Sequence, residues 1–263
     1  MTTSADPIES ALSALSDSHE RLAAAAGRLT GDELTGPSYC HDWSIAQVLS
    51  HLGSGAEIFG LIVEAGLRGR EAPGPGQFQA IWDVWNAKSP QDQARDGVAE
   101  DGELVEQLAA IGPDQRRSWR MPVFGAERDL ADLIRMRLSE HTLHTWDVEV
   151  MRNPQATLAG DAAGLLLDFL PEMAAGIGKP TGQDLRVHVT TEHPERHFEM
   201  VIGPGNVVLT QAGPAPAAGD ATLRLPAEAF ARLLAGRLDP EHSAAAEAQG
   251  ASLDDLRPVF PGF

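Results

Sequence analysis

After Gly178-Lys-Pro180 the apolar residues of this chain change their spacing, and that change limits the fold more than any other feature. Before it they recur at three- and four-residue steps, the period of a helix with one buried face. After it Leu185, Val187 and Val189 alternate with Arg186, His188 and Thr190, and Phe198, Met200 and Ile202 repeat the alternation, which is the period of a strand. A helical part followed by a sheet-bearing part is a multidomain α and α+β chain, and 263 residues suffice for two ordinary domains. Asn153-Pro154-Gln-Ala-Thr157 breaks the helical pattern, so the expected domains are 1–155, a four-helix bundle, and 156–263, a small α+β domain with an antiparallel sheet.

In order, a first helix is expected over about 6–29, with Asp6 as N-cap and Pro7 in the first turn. Residues 30–37 read as a connector, and Ser44 caps a second helix that runs to about Leu67. A Gly/Pro-rich loop, 69–76, precedes a third helical stretch over roughly 77–111. Its polar middle, Ser89 to Asp101, reads as a break, and Phe78, Ile81, Trp82 and Trp85 are expected to face inward. Trp119 to Gly125 reads as an extended connector, followed by a fourth helix from about Glu127 to Met151. The second half is expected to hold a helix over about 161–176, strands through 185–225, a helix opened by Pro226, and an anchoring tail ending in Val259-Phe260-Pro-Gly-Phe263.

The formal net charge is −18, which argues against nucleic acid or an anionic membrane as partner. An anionic small molecule would need a local cation to overcome that field. Cys40 is the only cysteine, so no internal disulfide framework exists, and a reducing, cytoplasmic setting is expected. The first residues lack a basic segment followed by an apolar run, and no stretch of about 18 apolar residues occurs, so neither a signal peptide nor a membrane span is expected. Lysine occurs only at Lys88 and Lys179, an Arg-over-Lys bias read as codon usage.

Within the fourth helix, Glu140 and His144 stand four residues apart and so project from one face. A carboxylate and an imidazole presented together are half of a metal site, and His51, on the flank of the second helix's apolar stripe, is the candidate third ligand. By spacing alone a surface ion pair is the commoner meaning of such a Glu–His pair. His141 competes as a ligand but is offset by one residue, towards Leu138. His188, His193 and His197 lie around a turn marked by Pro194, where His-x-x-x-His spacing loses its helical meaning, and exposed turn histidines are expected. Trp43 and Trp146 read as core aromatics, Cys40 as a small buried residue, and Asp147 equally as a support for a ligand histidine or as a solvated acid.

Cys40-His-Asp-Trp43-Ser-Ile-Ala-Gln-Val-Leu-Ser-His51-Leu resembles the first motif of the mycothiol-dependent maleylpyruvate isomerase family, in the DinB-like bundle superfamily. Glu140-His-Thr-Leu-His144-Thr-Trp146-Asp147 is similar to its second motif, and the ending from Leu234 through Phe263 resembles the family's sterol carrier protein 2-like domain. One departure is Gln47, where that family commonly has Asp. The resemblance implies a DinB-like bundle whose ligands are His51, Glu140 and His144, with Zn2+ the usual metal and mycothiol the thiol cofactor or co-substrate. It also implies thiol addition to an activated double bond, rotation and release of the thiol, as in cis–trans isomerisation. Two alternatives remain open: a mycothiol S-transferase acting on electrophiles, and a non-catalytic protein that binds metal or an apolar ligand.

If the substrate is a carboxylate, an Arg fits best beside the metal, since its planar fork grips a carboxylate with two hydrogen bonds. Leu223 and Leu225 share one face of the strand from Ala221, which leaves Arg224 on the other. Arg224 is therefore the candidate cation, expected to face the bundle's metal mouth, although a solvated strand arginine is the commoner meaning of such a position.

Overall fold

The computed structural model describes residues 6–123 and 125–262 and divides the chain into two compact units, Met1–Ala156 and Thr157–Phe263. Local hydrogen bonds explain where the chain changes allegiance. Trp146 Nε1 donates to the Ala156 carbonyl at 2.8 Å, which holds the segment after the last bundle helix within the first unit. Two residues on, the Leu158 amide donates to Glu228 of the second unit at 3.3 Å.

The first unit is built on four long helices. α1 (Pro7–Ala26) begins as expected, with the Asp6 side chain accepting from the Ile8 amide. The connector after it holds a short helix, α2 (Gly31–Thr35), closed at its N-terminus by a Thr30–Glu33 capping box. α3 (Ile45–Leu67) starts at Ser44, whose hydroxyl accepts from the Gln47 amide while the Gln47 side chain accepts from the Ser44 amide. That reciprocal pair accounts for Gln47: a glutamine at this position completes the cap. Val48, Leu49 and Leu52 on α3 are fully buried, each contributing about 1.5–3 kcal/mol by leaving water. α3 is long and apolar enough to cross a membrane, but 67% of its most apolar window is buried inside the protein, as in a core helix.

The expected third stretch is two helices, α4 (Pro75–Asn86) and α5 (Pro90–Ala109). The break falls at 87–89, not across Ser89 to Asp101, because Ser89 caps α5 and Pro90 occupies its first turn. Most of the polar residues taken for a break face outward on α5, while Gln93 and Asp101 are buried on its inner face. Of the aromatics expected inward on α4, Trp85 is buried but Trp82 is exposed. Trp85 is held by its indole N–H, which donates to Glu57 at 2.7 Å. α3 and α5 approach closely: a Cβ on Gly97 would lie 2.4 Å from the Leu49 carbonyl oxygen, and one on Gly53 2.4 Å from the Trp85 ring. Only glycine permits that contact.

α6 (Pro113–Ser118) leads into a two-stranded hairpin, β1 (Arg120–Val123) and β2 (Ala126–Asp129), where an extended connector was expected. Asp129 then caps α7 (Leu130–Glu149), its side chain accepting from the Asp132 amide. In the bundle, α1 packs on α7 and α3 on α5, with α3 also touching α7.

The second unit begins with α8 (Gly160–Leu166) and α9 (Leu170–Ile177), two short helices in place of one. β3 (Leu185–Glu192), β4 (Arg196–Ile202), β5 (Val207–Gln211) and β6 (Ala221–Pro226) follow the alternation seen in the sequence. They precede α10 (Ala227–Leu234), a short strand β7 (Glu247–Gln249) and α11 (Leu253–Leu256). The sheet order is β5-β4-β3-β6-β7. It is antiparallel except in its centre, where β6 pairs in parallel with the edge of β3 that β4 leaves free. Val187, Val189, Phe198, Met200, Leu223 and Leu225 bury one face, and α10 packs against β3 and β6. In the tail Val259 and Phe260 are buried, and the Val259 carbonyl accepts from the Lys179 amide at 2.8 Å; Phe263 lies outside the described residues.

Candidate metal centre

α7 carries a band of polar residues through the middle of a bundle, and the structure resolves it into three clusters of metal-capable side chains. They are His51, Glu140 and His144; Cys40, His144 and Asp147; and His19, Asp101 and His141. Atom spacing sorts them. Zinc bonds of about 2.0–2.1 Å at tetrahedral angles place nitrogen and oxygen ligands about 3.3 Å from each other, the long end of hydrogen-bond distances, which centre on about 2.9–3.0 Å.

The first cluster has the wider spacing. His51 Nε2 lies 3.3 Å from Glu140 Oε2, and His144 Nε2 lies 3.7 Å from the same oxygen. All three donor atoms fall within 4.8 Å of one another. His51 comes from the second turn of α3, Glu140 and His144 from successive turns of α7, so two packed helices fix the geometry. The side chains are 35% (His51), 44% (Glu140) and 11% (His144) exposed, which leaves one side open to solvent. Burial works to raise the Glu140 pKa, but the hydrogen bond from His51 and the neighbouring His144 and Arg137 outweigh it and hold the carboxyl down to about 2. Glu140 is thus an anion at neutral pH. Two imidazoles and a carboxylate with an open side are a donor set that fits a divalent metal with room for a further ligand.

Trp43 forms a wall of this site and is a correction to the expectation of a core aromatic. Its ring lies 5.2 Å from the His51 ring and, stacked at 22°, 6.4 Å from that of His144, while 38% of it stays exposed. The loop that carries it is closed on itself. Ser38 donates through its amide and its hydroxyl to the Trp43 carbonyl at 2.9 and 2.8 Å, and the Trp43 amide donates to the Cys40 carbonyl at 3.0 Å. Asp42 takes the left-handed conformation, φ 68°, that lets so short a turn close; Asp tolerates it better than most residues.

The second cluster lies behind His144 with hydrogen-bond spacing. His144 Nδ1 is 2.8 Å from Asp147 Oδ2, and the Cys40 thiol donates to the same oxygen at 2.9 Å. Asp147 is fully buried, so of its two readings the structure selects the support of a histidine.

The third cluster is also hydrogen-bonded. Asp101, with no exposure, meets His19 Nδ1 at 2.7 Å, Arg137 Nη2 at 2.6 Å and His141 Nε2 at 2.8 Å, the last without the alignment of a hydrogen bond. Burial opposes the charge of Asp101, yet His141, Arg137 and His19 outweigh it and keep the carboxyl far below the usual range. Burial pushes the His141 pKa down against the pull of Asp101, and the ring's other nitrogen lies 2.7 Å from Ser18 Oγ. Arg137 sets a permanent positive charge against the other oxygen of Asp101, which works against a cation in this cluster. His141 is therefore part of the bundle's interior.

In the second unit Arg224 lies on the outer face of the sheet, 43% exposed, with Nη1 2.8 Å from Glu192 Oε1. His188 and His197 correct the expectation of exposed turn histidines. Both lie in strands with their rings stacked 5.8 Å apart, and His188 is buried; His193 occupies the turn itself.

Comparison with known proteins adds the following. Residues 15–149 match the mycothiol maleylpyruvate isomerase N-terminal domain, and residues 168–254 match the MDMPI C-terminal domain. A solved structure of a mycothiol-dependent maleylpyruvate isomerase shares the fold, with a TM-score of 0.67 and 14% identity over 93% of each chain. A histidine-to-alanine mutant of such an isomerase has a TM-score of 0.66 and 13% identity over 92% of this chain and 93% of that one. No curated protein matches the sequence. With more than half of its length covered by the first of these domains, the chain belongs to the mycothiol maleylpyruvate isomerase family.

Proposed function

We propose that this protein is a metal-dependent enzyme that uses a small-molecule thiol, mycothiol, for a maleylpyruvate isomerase-like cis–trans isomerisation or a related thiol addition. The observation that carries this is the convergence of His51 Nε2, Glu140 Oε2 and His144 Nε2, from two helices, at 3.3 and 3.7 Å. When bound there, a divalent metal such as Zn2+ supplies Lewis acidity that lowers the pKa of a thiol ligand, making thiolate available at neutral pH. His51 and His144 offer nitrogen donors, and Glu140 offers the single negative charge. Trp43 covers one side with an apolar ring, restricting water on that side and offering a surface for the carbon skeleton of a substrate. A single half-buried cysteine and small-molecule partners fit the cytoplasm, where thiols stay reduced.

Arg224 is the residue proposed to hold a substrate carboxylate. Its partner Glu192 is itself 41% exposed, and an exposed ion pair is worth at most about 1 kcal/mol, so a substrate carboxylate can displace it. Arg224→Ala should raise KM for an anionic substrate roughly ten- to hundredfold, the worth of a charge-assisted contact, while zinc content stays the same. Unchanged kinetics would return Arg224 to the surface and favour a neutral electrophile.

The deciding experiment is elemental analysis of purified protein, then cobalt substitution and titration with mycothiol. One metal per chain and a sulfur-to-cobalt charge-transfer band are expected. Absence of metal, with no uptake of added zinc, would sink the reading. Bound metal with no spectral response to thiols would leave a metal protein of other chemistry, and turnover assays with electrophiles separate isomerase from S-transferase.

A further inference from the structure

We infer that Asp147, with Cys40 behind it, is a positioning residue for His144: together they select the ring tautomer that turns an unprotonated Nε2 towards Glu140 and His51. This rests on the metal-centre reading above and extends it to residues outside the ligand set.

An imidazole can offer only one bare nitrogen, and its environment decides which one. Asp147 follows His144 by three residues on α7, so both project from one face. Its Oδ2 lies 2.8 Å from Nδ1 of that ring. The Cys40 thiol donates to this same oxygen, so Oδ2 acts as an acceptor, Nδ1 carries the proton and Nε2 is left with the lone pair. Nε2 is the nitrogen that faces Glu140 Oε2, at 3.7 Å.

Asp147 is fully buried, and a buried carboxylate needs donors. Cys40 supplies one: its thiol donates to the same Oδ2 at 2.9 Å. The chain holds the two together, because the Tyr39 amide donates to the Asp147 carbonyl at 3.2 Å. Trp43, three residues after Cys40, stacks on the same imidazole. The loop before α3 and the last turns of α7 therefore grip the His144 ring at its Nδ1 edge and on its face.

Two other roles for Cys40 fit less well. A second metal among Cys40, His144 and Asp147 would need donor atoms about 3.3 Å or more apart, and the oxygen contacts are 2.8 and 2.9 Å. A nucleophilic thiolate would set a second negative charge against a buried carboxylate.

Ring-nitrogen NMR of the metal-free protein at mildly alkaline pH tests the inference without metal. The wild type should show His144 with Nδ1 protonated. Asp147→Asn, whose amide can donate to Nδ1, should move the proton to Nε2 and weaken zinc binding about ten- to a hundredfold, with the far-UV spectrum unchanged. Cys40→Ser, which keeps a donor, should behave as wild type, and Cys40→Ala should fall between wild type and Asp147→Asn. If Asp147→Asn does not fold, the wild-type tautomer and the Cys40 pair carry the test. A wild-type ring protonated on Nε2, or an Asp147→Asn protein with unchanged tautomer and zinc affinity, overturns the inference. Wild-type protein with the stated tautomer but no zinc uptake overturns instead the metal-centre reading on which it rests.

Discussion

Glu140 and His141 are neighbours on α7, yet they belong to clusters with opposite physical character. Around Glu140 the polar atoms stand 3.3–3.7 Å apart and one side is open. Around His141 they stand 2.6–2.8 Å from Asp101, and Asp101 and His141 have no exposure. The residue types are nearly the same: two histidines and a carboxylate in each. The difference is that Arg137 completes the Asp101 cluster, neutralising its carboxylate and donating also to the Leu52 carbonyl at 2.8 Å. The Arg137 cluster ties α1, α3, α5 and α7 together, while the Glu140 cluster joins α3 and α7 alone.

The comparison breaks most visibly at Asp101. Asp101→Asn leaves Arg137 buried without its counter-charge and should cost about 3–5 kcal/mol of stability, measured by urea unfolding. A loss no larger than that of an exposed pair would mean that the interior cluster holds nothing together. Next in size, Glu140→Gln keeps the shape of the open cluster and removes its charge. Competition with a chromophoric chelator should then show zinc affinity falling at least about a hundredfold, beyond the usual cost of losing an outer-shell partner. The metal-free protein should also lose stability, because the depressed Glu140 pKa means that the fold favours its charge, but less than Asp101→Asn does, since Glu140 is 44% exposed; a loss as large as that of Asp101→Asn would place Glu140 among the structural residues.

Acid titrates the carboxylates of both clusters, and base bears on the Asp101 cluster through His19. The folded-state pKa of Asp101 is depressed, so its stabilisation is present above the unfolded carboxylate value of about 3.9 and is lost progressively as pH falls below it. His19 works in the other direction. Its hydrogen bond to Asp101 outweighs burial and raises its pKa, so its contribution is complete below about 6.5 and disappears as pH rises through the folded-state value. From this pair, stability should be greatest between those limits. The smallest effect is His19→Gln, which should cost about 1 kcal/mol below the His19 pKa and remove the alkaline decline, read as unfolding midpoint against pH. An alkaline limb that survives this substitution would assign it to another group.

The expected helix starts at Asp6-Pro7 and Ser44 are those observed, because caps act within one turn and need no tertiary partner. The strands through 185–225 were legible for a similar reason: alternation needs only one buried face. What failed depended on neighbours. Ser89-Pro90 restarts a helix that polar composition had marked as a gap, and Trp82 points outward although its apolarity suggested a core position. The parallel pairing of β3 with β6 is a decision about which edge remained free, which no local pattern encodes.

For the site, the four-residue step from Glu140 to His144 already put a carboxylate and an imidazole on one face, since helical geometry is a property of the backbone. His51 could be named from its helix flank, and the family from the two motifs that contain these residues. Only the packing of α3 against α7 sets the 3.3 Å between His51 and Glu140, and only burial turns Asp147 from a possible surface acid into the partner of His144. The physical reason is range. Caps, periods and faces are fixed by bonds within a few residues, whereas donor spacing and desolvation arise between segments 89 and 107 positions apart, which meet only in the folded chain.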